Sequence, residues 1–221
     1  ATGGYNVALG HSALVANVTG VNNVAIGYQT LNNSTDKFAN VAIGYRACKN
    51  NNSSYGVFIG DRAASNGIVS GEKNVAVGHY SLFALTTGAY NTAIGANTLD
   101  DNTTGGSNTA VGSAALAANT TANQNTAVGQ GALQLNTTGA RNTALGATAL
   151  DANQTGNYNV ALGYGSLGAN NTHNNTAIGY DAATANTTGG NLVAIGYQAM
   201  NSNTTGSNGV AIGHQALYTC T

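Results

Sequence analysis

The chain has 221 residues, 42% of them hydrophobic, with 31 Gly, no Pro and no Trp, and its six Lys/Arg and seven Asp/Glu leave a net charge of −1. So few charges exclude the basic surface that nucleic acid or an anionic membrane demands, and no nucleic-acid partner is expected. The dense, patterned hydrophobic content excludes a disordered tract, and no apolar run approaches the ~20 residues that span a bilayer, so no membrane insertion by this segment is expected.

The first element is Asn6-Val7-Ala8-Leu9-Gly10, and the chain then repeats it. The Gly closing each box falls at 10, 27, 44, 60, 78, 95, 112, 129, 146, 163, 179, 196 and 213, a spacing of 17 broken by two steps of 16 and one of 18. Fixed-period self-similarity of this kind marks a repeat architecture. Nothing outside the repeat is long enough for another domain, so residues 1–221 read as one repeat domain. Because the chain opens inside the repeat, it reads as a segment of a longer fibre.

Seventeen residues cannot hold two helices and their turns. They can hold two short strands, V/T-A-I-G and the x-A-L segment after the Gly, joined by N-T-T-G turn chemistry. The reading is all-β: a β-solenoid of about thirteen coils, a rod on the order of 60 Å long. Within each box the residues three and one before the Gly share a strand face, and Ala two before it takes the other. The large aliphatics are expected to fill the interior with the Leu column four after the Gly. That leaves an outward Ala/Gly stripe, which suits close approach of a second chain. The alternative is that a narrow coil needs small residues inside.

Two Asn columns recur. The first, four before the Gly, holds Asn6, Asn23, Asn40, Asn74, Asn91, Asn108, Asn125, Asn142, Asn159 and Asn175, and stacked amides of this kind form structural ladders. The second, seven after the Gly, holds Asn17, Asn51, Asn102, Asn119, Asn136, Asn153, Asn170, Asn186 and Asn203. Each of these begins an N-x-[ST] acceptor, so the column is a candidate for glycosylation, unless the turn simply favours Asn and Thr.

Coils three to five break the pattern. Eight of the charges lie there or close by (Asp36, Lys37, Arg46, Lys49, Asp61, Arg62, Glu72 and Lys73), as do all three Phe. Phe38, Arg46, Phe58, Arg62 and Phe83 form a candidate binding or contact patch, against the alternative of coils that lost the consensus. Tyr follows the Gly at 28, 45, 164, 180 and 197, and His does so at 11, 79 and 214. The consecutive Tyr164, Tyr180 and Tyr197 are expected to stack, as plain packing or as a platform for sugar rings. The four His are scattered over distant coils, so no metal site or cofactor is expected. Cys48 takes a core Leu position. Cys220 lies about ten coils away, too far for an intrachain disulfide. The two are either free thiols or a link between chains.

The boxes NNVAIGYQT (22–30), ANVAIGYRA (39–47) and NLVAIGYQA (191–199) resemble the N-S-V-A-I-G-x-x-A repeat of trimeric autotransporter adhesin heads, with related repeats in phage and virus fibre proteins. The resemblance runs from 6 to 217. It implies a left-handed parallel β-roll, three chains side by side, displayed on a cell or virion surface for attachment to a host surface protein or carbohydrate.

No nucleophile elbow, phosphate loop or paired carboxylates outside Asp100 and Asp101 occur, so a non-enzymatic protein is expected. The leading expectation is a structural or adhesive extracellular segment that self-associates laterally or end to end. The alternatives are a viral or phage fibre shaft, or an ice- or polysaccharide-binding solenoid. Ice binding asks for one unbroken Thr column. Thr92, Thr109, Thr126, Thr143 and Thr176 are the Thr of a column mixed with Val and are expected to face inward.

Overall fold

A computed structural model describes residues 2–219. The described chain is all-β: thirteen strands of three residues, one per repeat, stack parallel in one sheet in chain order. They run from β1 (Val7–Leu9) to β13 (Val210–Ile212), and the central four are β6 (Thr92–Ile94), β7 (Thr109–Val111), β8 (Thr126–Val128) and β9 (Thr143–Leu145). Register is strict across every pair, box on box: Thr109 lies on Thr126, Ala110 on Ala127, Val111 on Val128. The chain is a β-solenoid whose turns each add one strand.

The second strand anticipated in the x-A-L segment does not form. The residues two and four after the Gly sit at positive φ in every coil, Leu116 at 53° and Leu133 at 52° among them. An extended segment would point successive side chains to opposite faces. Here Ala115 and Leu116 are both fully buried, as are Ala132 and Leu133. The left-handed residues break the alternation and let two consecutive side chains enter the core. Backbone pairing between coils survives on this side: the Leu116 amide donates to the Ala132 carbonyl at 3.0 Å, and the Ala118 amide to the Gln134 carbonyl at 3.0 Å.

The expected inside and outside of the strand are reversed. On the inner strands the residue two before the Gly, Ala in all but one, is buried, while its Val/Thr and Ile/Val/Leu neighbours are half-buried or exposed. The physical reason is width. The coil encloses the Leu column, the Ala beside it and a row of Asn amides, and the space left beneath the strand accepts a methyl group. The small residues therefore serve the interior, and the large aliphatics form the outer face of the sheet.

The Gly that closes each box is needed twice over. At Gly112 φ is +131°, and a Cβ there would lie 2.6 Å from the carbonyl oxygen of Gly129 in the next coil. The same contact repeats up the rod, which is why this column admits no other residue.

Candidate functional site

Three surface features carry chemistry: the outer sheet face, the aromatic columns and the irregular coils. The interior Asn columns set their geometry. In the first column the backbone amide donates to the Oδ1 of the Asn one coil earlier wherever that coil has one, as Asn108 does to Asn91 at 3.0 Å and Asn125 to Asn108 at 3.0 Å. Each Nδ2 also reaches a carbonyl in its own coil, as Asn108 does to Ala122 at 2.8 Å.

The second column is interior as well, which overturns its reading as a row of glycan acceptors. Asn102, Asn119, Asn136, Asn153, Asn170 and Asn186 are fully buried, Asn51 and Asn203 nearly so, and Asn17 is half-buried near the chain start. Asn119 donates to Asn102 Oδ1 at 2.8 Å and Asn136 to Asn119 Oδ1 at 3.0 Å. The two columns converge on shared acceptors: the Gly105 carbonyl takes Nδ2 hydrogen bonds from both Asn91 (2.8 Å) and Asn102 (3.0 Å). A sugar on any of these amides would have to displace the core. The Thr that follows is recruited too, its hydroxyl donating up the rod, as Thr103 does to the Thr120 carbonyl at 3.1 Å.

The outer sheet face holds two columns, Val or Thr three before the Gly and Ile, Val or Leu one before it, with no charge on any strand. Thr92, Thr109, Thr126 and Thr143 stand in register on β6 to β9, on the outer face and not inside. Ile94 and Leu145 are each 41% exposed. A face about 60 Å long and about 10 Å wide amounts to roughly 600 Å². That is the size at which exposed apolar surface marks an interaction site.

The aromatic columns stack as expected and extend further. Tyr164, Tyr180, Tyr197 and His214 form one column, with ring centroids 5.1–5.4 Å apart and planes within 12°. His11, Tyr28 and Tyr45 form another. The stacking covers the ring faces and leaves the edges and hydroxyls to solvent. Sugars bind aromatic faces, so these columns do not offer the platform that an exposed ladder would.

The irregular coils divide the candidate patch. Phe58 replaces the inward Ala and is fully buried. Its ring occupies the space of the missing Asn: a Cβ on Gly56 would lie 2.2 Å from the Phe58 ring. Ala64 takes the Leu position of that coil and makes further room. Phe58 is thus a core substitution compensated at Gly56 and Ala64, and leaves the surface patch. Phe38 packs edge-on against Tyr55 one coil later.

Arg46, Arg62 and Phe83 do come together. With Lys49, Asn50 and Asn66 they line a surface cleft of about 270 Å³. Arg46 lies over the Tyr45 ring at 5.1 Å. Arg62 sits 5.5 Å from Tyr45 and 5.4 Å from Tyr80, and it donates to the Tyr80 hydroxyl. A second cleft of about 360 Å³ shares Asn50 and is bounded by Asn33, Asn52 and the exposed Ile68. It arises where a 16-residue coil meets an 18-residue one and Val69 pairs with Asn51.

No family model, curated protein or solved structure matches this chain.

Cys48 fills the Leu position as expected. Its buried Sγ lies 3.4 Å from Asn51 Oδ1, and burial pushes its thiol well up. A link from Cys48 to another chain would require opening the coil, so that reading is withdrawn. Cys220 lies outside the described residues. Among the described residues no group of His, Cys, Asp and Glu could hold a metal ion, and no helix is long and apolar enough to cross a membrane.

Proposed function

We propose that the chain is a non-catalytic structural and adhesive segment of an extracellular fibre or adhesin head. Rods would associate side by side through the Val/Thr–Ile face, and attachment would be made elsewhere on the rod. The observation that carries this reading is the uncharged outer sheet face. A face of roughly 600 Å² per rod is what each partner of a specific interface contributes, about 600–1,000 Å². Association through this face, and not through an Ala stripe, brings two flat, branched surfaces into contact and leaves the turns and irregular coils free. A viral or phage fibre shaft would use the same contact. Sedimentation velocity and negative-stain microscopy test it. Side-by-side dimers or trimers that dissociate in Thr126→Lys/Val128→Lys support the reading, and a monomer at all concentrations rejects it.

A second reading has one observation in its favour. Four outward Thr in register on β6 to β9, flanked by Val of nearly the same shape, form a flat, regular, uncharged array of the kind that can match a crystalline surface. Under this reading the rod is monomeric and binds ice or crystalline polysaccharide. Thermal hysteresis by the monomer, abolished in Thr109→Lys, would favour it over lateral assembly.

A further inference from the structure

The outer sheet face belongs to the assembly just described, and the stacked aromatic columns present only edges. The irregular coils are different. Three of the chain's six cations, Arg46, Lys49 and Arg62, line one cleft. All three are half-buried. Among the described residues the ion pairs are Lys37 with Asp36 and His79 with Asp61, so none of the three has a carboxylate partner. The nearest carboxylate in sequence, Asp61, is turned to His79 at 3.4 Å.

In a chain with 6% charged residues, three cations in one depression, none of them ion-paired and with Asp61 beside Arg62 the carboxylate that acts on that guanidinium, are a local concentration of positive charge. The sixth cation in chain order, Arg141, stands apart and is tied to Gln124 at 2.9 Å and to the Tyr158 hydroxyl. The two guanidiniums of the cleft are also held in place. Arg46 donates from Nε to Gln29 Oε1 at 3.1 Å and rests on Tyr45. Arg62 is held between Tyr45 and Tyr80. Guanidiniums positioned in advance lose little side-chain freedom when they grip an oxyanion. Lys49 makes no side-chain hydrogen bond and remains available as a point charge.

The ground beyond Asn50 has another character. Asn33 donates to Asn50 Oδ1 at 2.7 Å. Asn52 and Ile68, the latter 66% exposed, complete a second depression that shares Asn50 as a wall with the first. Amides for hydroxyls, one apolar surface for a ring face and adjacent cations for an acid group are the elements an acidic sugar needs. A peptide would look for an unpaired strand edge or a deeper apolar pocket, and neither lies here.

We propose that the paired clefts on either side of Asn50 bind an acidic oligosaccharide. Its carboxylate or sulfate lies among Arg46, Lys49 and Arg62, and the neighbouring sugar ring lies over Ile68 among the Asn33, Asn50 and Asn52 amides. This rests on the adhesive reading and gives it a ligand class. The two anions share the same chemistry, and the test separates them. Titration calorimetry of the full chain would use a sulfated tetrasaccharide, a carboxylated one, a neutral one of the same length, and inorganic sulfate.

The expected result is saturable binding of at least one acidic tetrasaccharide. It should weaken at least tenfold in Lys49→Gln and in Arg46→Gln/Arg62→Gln, stay unchanged in Arg141→Gln, and fall as salt rises. The stronger of the two acidic ligands identifies the anion. Thermal melting of each variant separates lost binding from lost folding, and Lys49→Gln, which breaks no side-chain hydrogen bond or ion pair, keeps the test sound if the double variant unfolds. Ile68→Ser should weaken the tetrasaccharide without affecting any binding of inorganic sulfate. Binding of the neutral sugar with equal strength, inorganic sulfate bound as tightly as the saccharides, equal loss in Arg141→Gln, or no binding at all would overturn the proposal. Microscopy of the same samples reports lateral assembly separately. Rods that assemble yet ignore acidic sugars would sink this inference alone.

Discussion

At the scale of single residues, stability in this rod is decided by backbone conformation as much as by burial. Gly112 and Ser107 make opposite cases. Gly112→Ala forces a side chain into φ +131° and against the Gly129 carbonyl, so a loss of about 3 kcal/mol is expected in chemical denaturation. Ser107 is exposed and sits at φ 58°. A left-handed Ser costs about 1–2 kcal/mol, more than Gly loses in chain entropy, so Ser107→Gly should stabilise by about 0.5 kcal/mol. If both substitutions moved stability the same way, the left-handed assignment would be wrong. Asp100 gives a pH-dependent case. One of its carboxylate oxygens is buried without a hydrogen-bond partner, and burial, then Asp101, holds its carboxyl above the usual range. A carboxyl raised in the folded state penalises folding while it is ionised, and the penalty fades as pH falls through that raised value. Asp100→Asn should therefore raise the melting temperature by about 1–2 °C at pH 7 and by nothing measurable near pH 3.

At the scale of the element, the repeated strand tests which of its sides faces in. Ala127 lies beneath β8 and Val128 beside it on the outside. Overpacking a filled core costs about 1–3 kcal/mol, so Ala127→Leu should lower stability by that much. Val128→Leu should change it by less than about 0.5 kcal/mol. Equal costs would mean that both side chains are enclosed. The period, the solenoid, the Leu column and the Asn ladder were all legible in the sequence, because each follows from repetition in register. The polarity of the strand was not. Parity groups Val7 with Leu9 and Ala8 apart, but it does not say which group is inside. That choice depends on the coil's width, which is set by Leu116-type residues in the left-handed conformation. The same conformation hid the absence of a second strand, since nothing in x-A-L announces a positive φ at Leu. The second Asn column was misread for a related reason. N-T-T is surface chemistry in an isolated turn, and it becomes core chemistry only when Asn102 and Asn119 stack and share carbonyls with the first column. In the irregular coils, the grouping of Arg46, Arg62 and Phe83 could be anticipated from the clustering of charge. Phe58 could have been separated from them by its place in the Ala column and by Gly56 two residues before it.

At the scale of the whole molecule, each strand touches only the one before and the one after it. The rod is therefore a chain of nearest-neighbour interfaces, and cooperativity should extend over a few coils instead of the full length. Asn108→Ala is the substitution that reads this out. It orphans the Asn125 amide, leaves the Ala122 carbonyl with its hydrogen bond from Asn119 alone, and removes half of the bond pair to Asn91. Each buried group left without a partner costs about 1–3 kcal/mol. The damage is confined to the coils around β7. Hydrogen exchange should show lost protection across roughly residues 91–129, with coils near β2 (Val24–Ile26) and β12 (Val193–Ile195) still protected. Chemical denaturation should broaden, because two shorter stacks then melt separately. Uniform loss of protection from end to end would mean that the Asn ladders couple distant coils. The rod would then behave as one cooperative unit despite its repeated construction. The ladders make this a close contest: through β7 and β8 the Asn of the first column are bonded both within their coil and to the coil before, so those interfaces are strong relative to the coils they join.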